Sequence, residues 1–145
     1  MNFQQACYFR LGEHTLALGG DTLRQIVTVG RVTPVPRTGP ELLGLFTVRG
    51  LVVPLIDLRP IFDPAATRAR VTERAALVEV DHHQIAFCLD DVYGFFPVQE
   101  TFDPKTVDPG VAAYTLKLAT HDNLTAAVIN VNKVMAALER QLVVA

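Results

Sequence analysis

The chain has 145 residues, half of them hydrophobic and 19% charged, with a formal net charge of −2 and a pI near 6.0. This suits one domain that buries roughly 70% of the surface its unfolded form exposes, and it argues against disorder. The weak acidity and the 8% aromatic content without Trp disfavour nucleic acid as the main partner, which calls for a basic patch or stacking platform.

In chain order, residues 7–11 and 14–18 read as two strands around Gly12-Glu13, and Gly19-Gly20-Asp21 breaks the pattern. Leu23, Ile26, Val27 and Val29 mix helical and strand spacing, which predicts a short irregular helical turn running into a strand. Thr33-Pro34-Val35-Pro36 must be extended, because each proline drives the residue before it out of the α region. Residues 41–43 form a brief turn. The stretch 44–59 then places Arg49-Gly50 between two apolar runs, the second ending in Pro54-Leu55-Ile56-Asp57-Leu58-Arg59. That is a hairpin: Gly50 permits the turn, and the β-branched flanks favour strands. Val53, Leu55 and Ile56 belong to the core. Leu58, Ile61 and Phe62 cover one helical turn, closed by Asp63-Pro64.

Residues 64–73 carry little bulky apolar matter and read as a mobile, linker-like loop. Strands follow at 74–80 and 85–89 around a polar turn at 81–83, with a bent strand over 90–98. Phe95 and Phe96 are adjacent, so on a strand they point to opposite faces, and at least one needs cover from elsewhere. A Pro- and Asp-studded loop spans 102–110, and a hairpin joins 114–119 to 124–129. Val131, Val134, Met135, Leu138 and Leu142 recur on one face of a helix that Asn130 can cap. So many short strands imply a barrel or sandwich. The chain is read as a single domain, 1-145, with approximate halves 1-65 and 70-145 and no sequence repeat between them.

Little points to chemistry. Asp57, Glu79, Asp90 and Asp91 are the carboxylates to weigh for acid–base catalysis, but no nucleophile elbow, Gly-rich phosphate loop or His-Glu-x-x-His accompanies them. His82, His83 and His121 make a poor metal set, since adjacent histidines on a strand diverge. Cys7 and Cys88 sit in apolar alternating runs and read as reduced, half-buried thiols. No apolar run nears the ~20 residues of a membrane span, and residues 1–12 lack the pattern of a secretion leader. A cytosolic, non-enzymatic protein without metal or cofactor is expected.

The stretch from Gly44 to Arg59 resembles the Leu-Arg-Gly-x-x-x-Pro-x-x-Asp-Leu-Arg core of CheW-like domains, adaptors of bacterial chemotaxis signalling. Phe9-Arg10-Leu11-Gly12-Glu13 with Leu16-Ala17-Leu18 is similar to the family's first hairpin. Leu23-Arg24-Gln25-Ile26 is similar to its Val-x-Glu-Ile segment, and Val32-Thr33-Pro34-Val35-Pro36 to its Ile-Thr-Pro-Val-Pro. Residues 85–92 and 127–135 resemble the family's later segments in collinear order. Three departures stand out: Ala86 for the usual Gly, Thr47-Val48 for Asn-Leu, and an added carboxylate in Asp90-Asp91.

The resemblance implies a mostly β fold of two packed, intertwined five-stranded SH3-like β-barrel subdomains with a C-terminal helix. It implies an adaptor that couples the cytoplasmic tip of a methyl-accepting chemoreceptor to the regulatory domain of a CheA-type histidine kinase. The alternative is the same role in a twitching-motility, type IV pilus or other two-component system. Such a protein reaches the membrane only through receptor clusters. Arg49 is then an orienting charge near the partner groove, or a structural arginine tying the hairpin down. Leu23, Ile26 and Val29 line the receptor groove or belong to the core.

Overall fold

The computed structural model describes residues 4–65, 70–104 and 107–144, with backbone alone beyond residue 139. Among the described residues eleven strands and three helices follow one another as β1 Gln5–Leu11, β2 His14–Gly19, β3 Leu23–Thr28, β4 Leu42–Val48, β5 Leu51–Ile56, α1 Arg59–Phe62, β6 Arg74–Val80, β7 His83–Leu89, β8 Asp91–Pro97, β9 Glu100–Phe102, α2 Pro109–Ala112, β10 Thr115–His121, β11 Leu124–Ile129 and α3 Val131–Val144. One sheet has the order β8-β1-β2-β11-β10-β9 and the other β3-β6-β7-β5-β4. Only Val98 and Gln99 separate β8 from β9, which stand at opposite ends of their sheet's order, so that sheet closes on itself as one barrel with a bent strand. In the other sheet a bridge between Thr33 and Leu45 holds the chain running from β3 against β4. The mostly β architecture of two small barrels is therefore observed, with six strands in one sheet and five in the other.

The sheets do not divide at the linker-like loop. The hairpin β1–β2 lies between β8 and β11, and the hairpin β6–β7 lies between β3 and β5. Each half, 1-65 and 70-145, thus supplies the central hairpin of one sheet and flanking strands of the other. The exchange is symmetric down to register. Phe9 pairs with Val92 and Tyr8 with Gly94, leaving Tyr93 bulged; Val78 pairs with Leu23 and Leu77 with Gln25, leaving Arg24 bulged. Beyond them, Val98 N–H donates to Gln4 O at 2.9 Å and Val29 N–H to Glu73 O at 2.8 Å. In the second hairpins, Leu43 in β4 and Leu116 in β10 are the bulged residues. Asp57 N–H donates to Glu41 O and Asn130 N–H to Tyr114 O, both at 2.8 Å. The chain is an internal structural repeat that its side chains conceal.

The bulge at Arg24 explains why residues 23–29 mimic helical spacing. Leu23 is buried and Ile26, three residues on, packs against the same core, because the extra residue Arg24 shifts the alternation of the strand by one. The segment is strand β3, not a helical turn. The main core runs between the sheets, from Cys7, Phe9 and Leu18 to Val53, Phe87, Val134 and Leu138. A second, smaller cluster of Ala6, Tyr8, Ala17, Ala119, Ala126 and Val128 lies within the six-stranded sheet. Asn130 caps α3, its side-chain oxygen accepting from Lys133 N–H at 3.2 Å. Of the linker-like stretch, residues 66–69 lie outside the described residues. Among the described residues no helix is long and apolar enough to cross a membrane.

Candidate interaction surface

Residues Arg49 and Gly50 form the two-residue turn between β4 and β5, with φ of +52° and +80°. Two successive left-handed residues match the right-handed twist of the flanking strands, which is why Gly is favoured in such a turn. Arg49 takes the first position at some conformational cost. Its side chain is exposed at the tip, and among the described residues it makes no hydrogen bond or ion pair. The reading of Arg49 as a brace for its own hairpin therefore has no contact behind it. Beside it, Leu51 is 58% exposed and Val52 64%. The tip is a cation flanked by uncovered aliphatic surface.

The other expected contact residues lie elsewhere. Leu23 is a core residue, 7% exposed, at the start of β3. Ile26 and Val29 are partly buried and pack against the main core. Beside them, Arg24 pairs with Glu79 at 3.4 Å on the exposed face of β3 and β6. No hydrogen bond or ring contact joins these residues to the Arg49 tip. The corresponding strand of the other half, β8, exposes Tyr93 and Phe95. Phe96 turns the other way and stacks on His121, with ring centroids 4.5 Å apart and planes at 5°. Phe95 occupies the position equivalent to Ile26, so both edge strands carry an apolar residue there.

The Asp-Leu-Arg end of the hairpin motif faces inward. Asp57 is fully buried and accepts hydrogen bonds from Arg59 N–H and Nε at 3.0 Å each, from the Arg59 guanidinium terminus, and from Arg70 N–H at 3.3 Å. The bond to Asp57 holds the Arg59 guanidinium even more firmly protonated than usual, against the opposing effect of burial. Such a paired buried carboxylate is a fixture, and removing one partner strands the other. Close by, Asp90 accepts from Gly12 N–H and from the Arg70 guanidinium, each at 2.7 Å. Burial alone would raise the Asp90 carboxyl, but the Gly12 bond and the Arg70 and Arg10 charges outweigh it and lower its pKa. This cluster ties the β1–β2 turn, the end of β5, α1 and the β7–β8 junction together.

The remaining carboxylates weighed for catalysis are also engaged: Glu79 with Arg24 and Gln84, Asp91 with Arg74 at 3.7 Å. Among the described residues no group of three His, Cys, Asp or Glu side chains could hold a metal ion. Cys7 and Cys88 are buried free thiols, pushed by desolvation up to about 11, which keeps them protonated.

The sequence model of the CheW-like domain matches residues 5–139. The chain belongs to the CheW-like domain family. Among curated relatives, the "Chemotaxis protein CheW" of Thermotoga maritima is 27% identical over 96 residues, which covers 63% of this chain and 60% of that protein. "Protein FrzA" of Myxococcus xanthus is 24% identical over 115 residues, 78% of this chain and 72% of its own. The crystal structure of the scaffolding protein TtCheW from Thermoanaerobacter tengcongensis superposes with a TM-score of 0.72 at 22% identity, covering 89% of this chain and 85% of that one. The last likeness shows the fold; the family match carries the kinship.

Within that family frame, sequence reasoning found the hairpin and missed its exposed flank. Leu51 and Val52 stand in the same apolar run as the core residues Val53, Leu55 and Ile56, and their place one and two residues past the turn exposes them. The exposure of Phe95 was signalled by its adjacency to Phe96, since one strand cannot bury both faces at an edge.

Proposed function

We propose that the protein is a signalling adaptor that couples chemoreceptor tips to a CheA-type histidine kinase through protein contacts, with no reaction of its own. The family match over residues 5–139 carries this reading. The exposed Arg49 tip with Leu51 and Val52, and the exposed aromatics of β8, supply separate surfaces for two partners. Because each sheet contains strands of both halves, those surfaces belong to one packed body. Two partners held on it gain effective concentration, and a partner that binds one surface constrains the orientation of the other. A protein of this kind works in the cytoplasm and is recruited to membrane receptor clusters by what it binds.

The similarity to FrzA over 115 residues favours one second reading, the same coupling role in a related motility or two-component system. Affinity capture from native lysate tests both, with wild type compared against Arg49→Ala. Wild type is expected to retain a histidine kinase together with a receptor, and Arg49→Ala to lose one of them while melting at an unchanged temperature. The identity of the receptor then separates chemotaxis from the alternative system. Capture of neither by wild type overturns the adaptor role.

A further inference from the structure

A groove of about 110 Å³ lies between the five-stranded sheet and α3, lined by Leu42, Pro54, Ile56, Ile85, Met135 and Leu138 together with Glu41 and Glu139. Glu41 is only 3% exposed. Its backbone carbonyl closes the β5 end, yet among the described residues nothing donates to its side chain. Its oxygens are not among the fully enclosed unpaired polar atoms, so a carboxylate that is nearly buried keeps a small open face to which a cation could pair.

The internal repeat shows what this position holds when its role is packing alone. Glu41 corresponds to Tyr114, since Asp57 N–H donates to one carbonyl and Asn130 N–H to the other. Five residues beyond those donors stand Phe62 in α1 and Met135 in α3. Tyr114 of the second half packs its ring on Phe62 of the first, with centroids 6.3 Å apart. At the equivalent place, between Glu41 of the first half and Met135 of the second, the aromatic is replaced by a carboxylate, and the slot beside Met135 is open.

We infer that this groove receives an arginine side chain from a partner protein, its aliphatic stem along Leu42, Ile56, Ile85 and Met135 and its guanidinium on Glu41. The volume fits one such stem, being the share of only a few waters. The lining is apolar where the stem lies, and arginine pairs an apolar stem with a head that tolerates burial against a carboxylate. Glu139 at the rim adds a second negative charge that favours the same cation. The inference rests on the groove alone and holds whichever signalling system the adaptor serves.

Butylguanidinium, a stem and head without a peptide, probes the site on the intact protein by amide chemical-shift titration, with butylammonium and butanol as comparisons. Wild type should show saturable shifts confined to Leu42, Ile56, Ile85 and Met135, with weaker binding of butylammonium and none of butanol. Glu41→Gln should bind about 10-fold less tightly, the usual consequence of losing a charge-assisted bond. It should also melt a few degrees higher, because the uncompensated carboxylate is gone. The inference is overturned by scattered or unsaturable shifts, by an equal response in Glu41→Gln or to butanol or butylammonium, or by a lower melting temperature of Glu41→Gln. That last outcome would mean Glu41 holds the fold itself.

Discussion

At equivalent places in the two halves of the chain, Leu23 meets Val92, Gly44 meets Lys117, and the Arg49-Gly50 turn meets Asp122-Asn123. Arg49 and Asp122 adopt nearly the same φ, +52° and +51°. The backbone hydrogen bonds repeat, yet the side chains that dress them have little in common. Wiring is fixed by which strands pair and where bulges fall, while residue identity at each place answers to a different neighbour. The slot over α1 is filled by Tyr114 on Phe62, whereas the equivalent slot over α3, beside Glu41, is open.

The largest effect should come from putting charge at the first equivalent pair. Leu23→Asp places a carboxylate in the core between the sheets, at a cost of about 3–5 kcal/mol. Val92, only half-buried on β8, should lose about half as much on the same change. Denaturant unfolding monitored by circular dichroism ranks the two variants, and equal losses would mean the halves bury this position alike.

Gly44 and Lys117 come next. Gly44 has φ +148°, and a Cβ there would stand 2.4 Å from Thr33 O, the partner of the bridge that closes the five-stranded sheet. Gly44→Ala should therefore cost roughly 2–4 kcal/mol. Lys117→Ala, at a place that already accepts a side chain, should stay within about 1 kcal/mol. Melting curves of both variants decide whether close backbone approach belongs to one half only.

A smaller effect depends on pH. Asp90 titrates below its ordinary value in the folded protein, so its contribution is present above the unfolded carboxylate range, near pH 4, and is lost as pH falls through the folded value. Asp90→Asn should melt below wild type at neutral pH, and the gap should close on acidification below about pH 4. A gap independent of pH would assign the loss to packing around Gly12 instead of to the charge.

Much of this was legible in the sequence because the signals are local. The Arg49-Gly50 hairpin, the Gly12-Glu13 turn and the amphipathic α3 after Asn130 each follow from a few neighbouring residues. Strand β3 was not legible, because the bulge at Arg24 turns its alternation into apparent helical spacing and its partner β6 lies far along the chain. The repeat was hidden for the same reason that Glu41 and Tyr114 differ: equivalent backbone places face unlike surroundings. At the candidate surface Arg49 stood out through its motif, while the exposure of Leu51 and Val52 depends on where the apolar run leaves the core, which its composition does not mark. Whether Leu23 faced a groove or the core depended on a register that only distant pairing sets.

The exchange of strands also predicts what a cut between the halves cannot do. A protease site placed between residues 65 and 70, once cleaved, leaves β1–β5 with α1 on one fragment and the rest on the other. Four strand seams, β1–β8, β2–β11, β3–β6 and β5–β7, then join one fragment to the other. Parting the fragments means dismantling both sheets and exposing the shared core, which is global unfolding. The nicked protein should elute as one species under native conditions, melt only slightly below the intact chain, and separate in denaturant. If the halves were independent barrels resting on one another, each fragment would keep its own strand pairs, and dilution alone would part them. Native elution of the cleaved protein at decreasing concentration distinguishes the two arrangements, because sheet-sharing fragments remain together until they unfold.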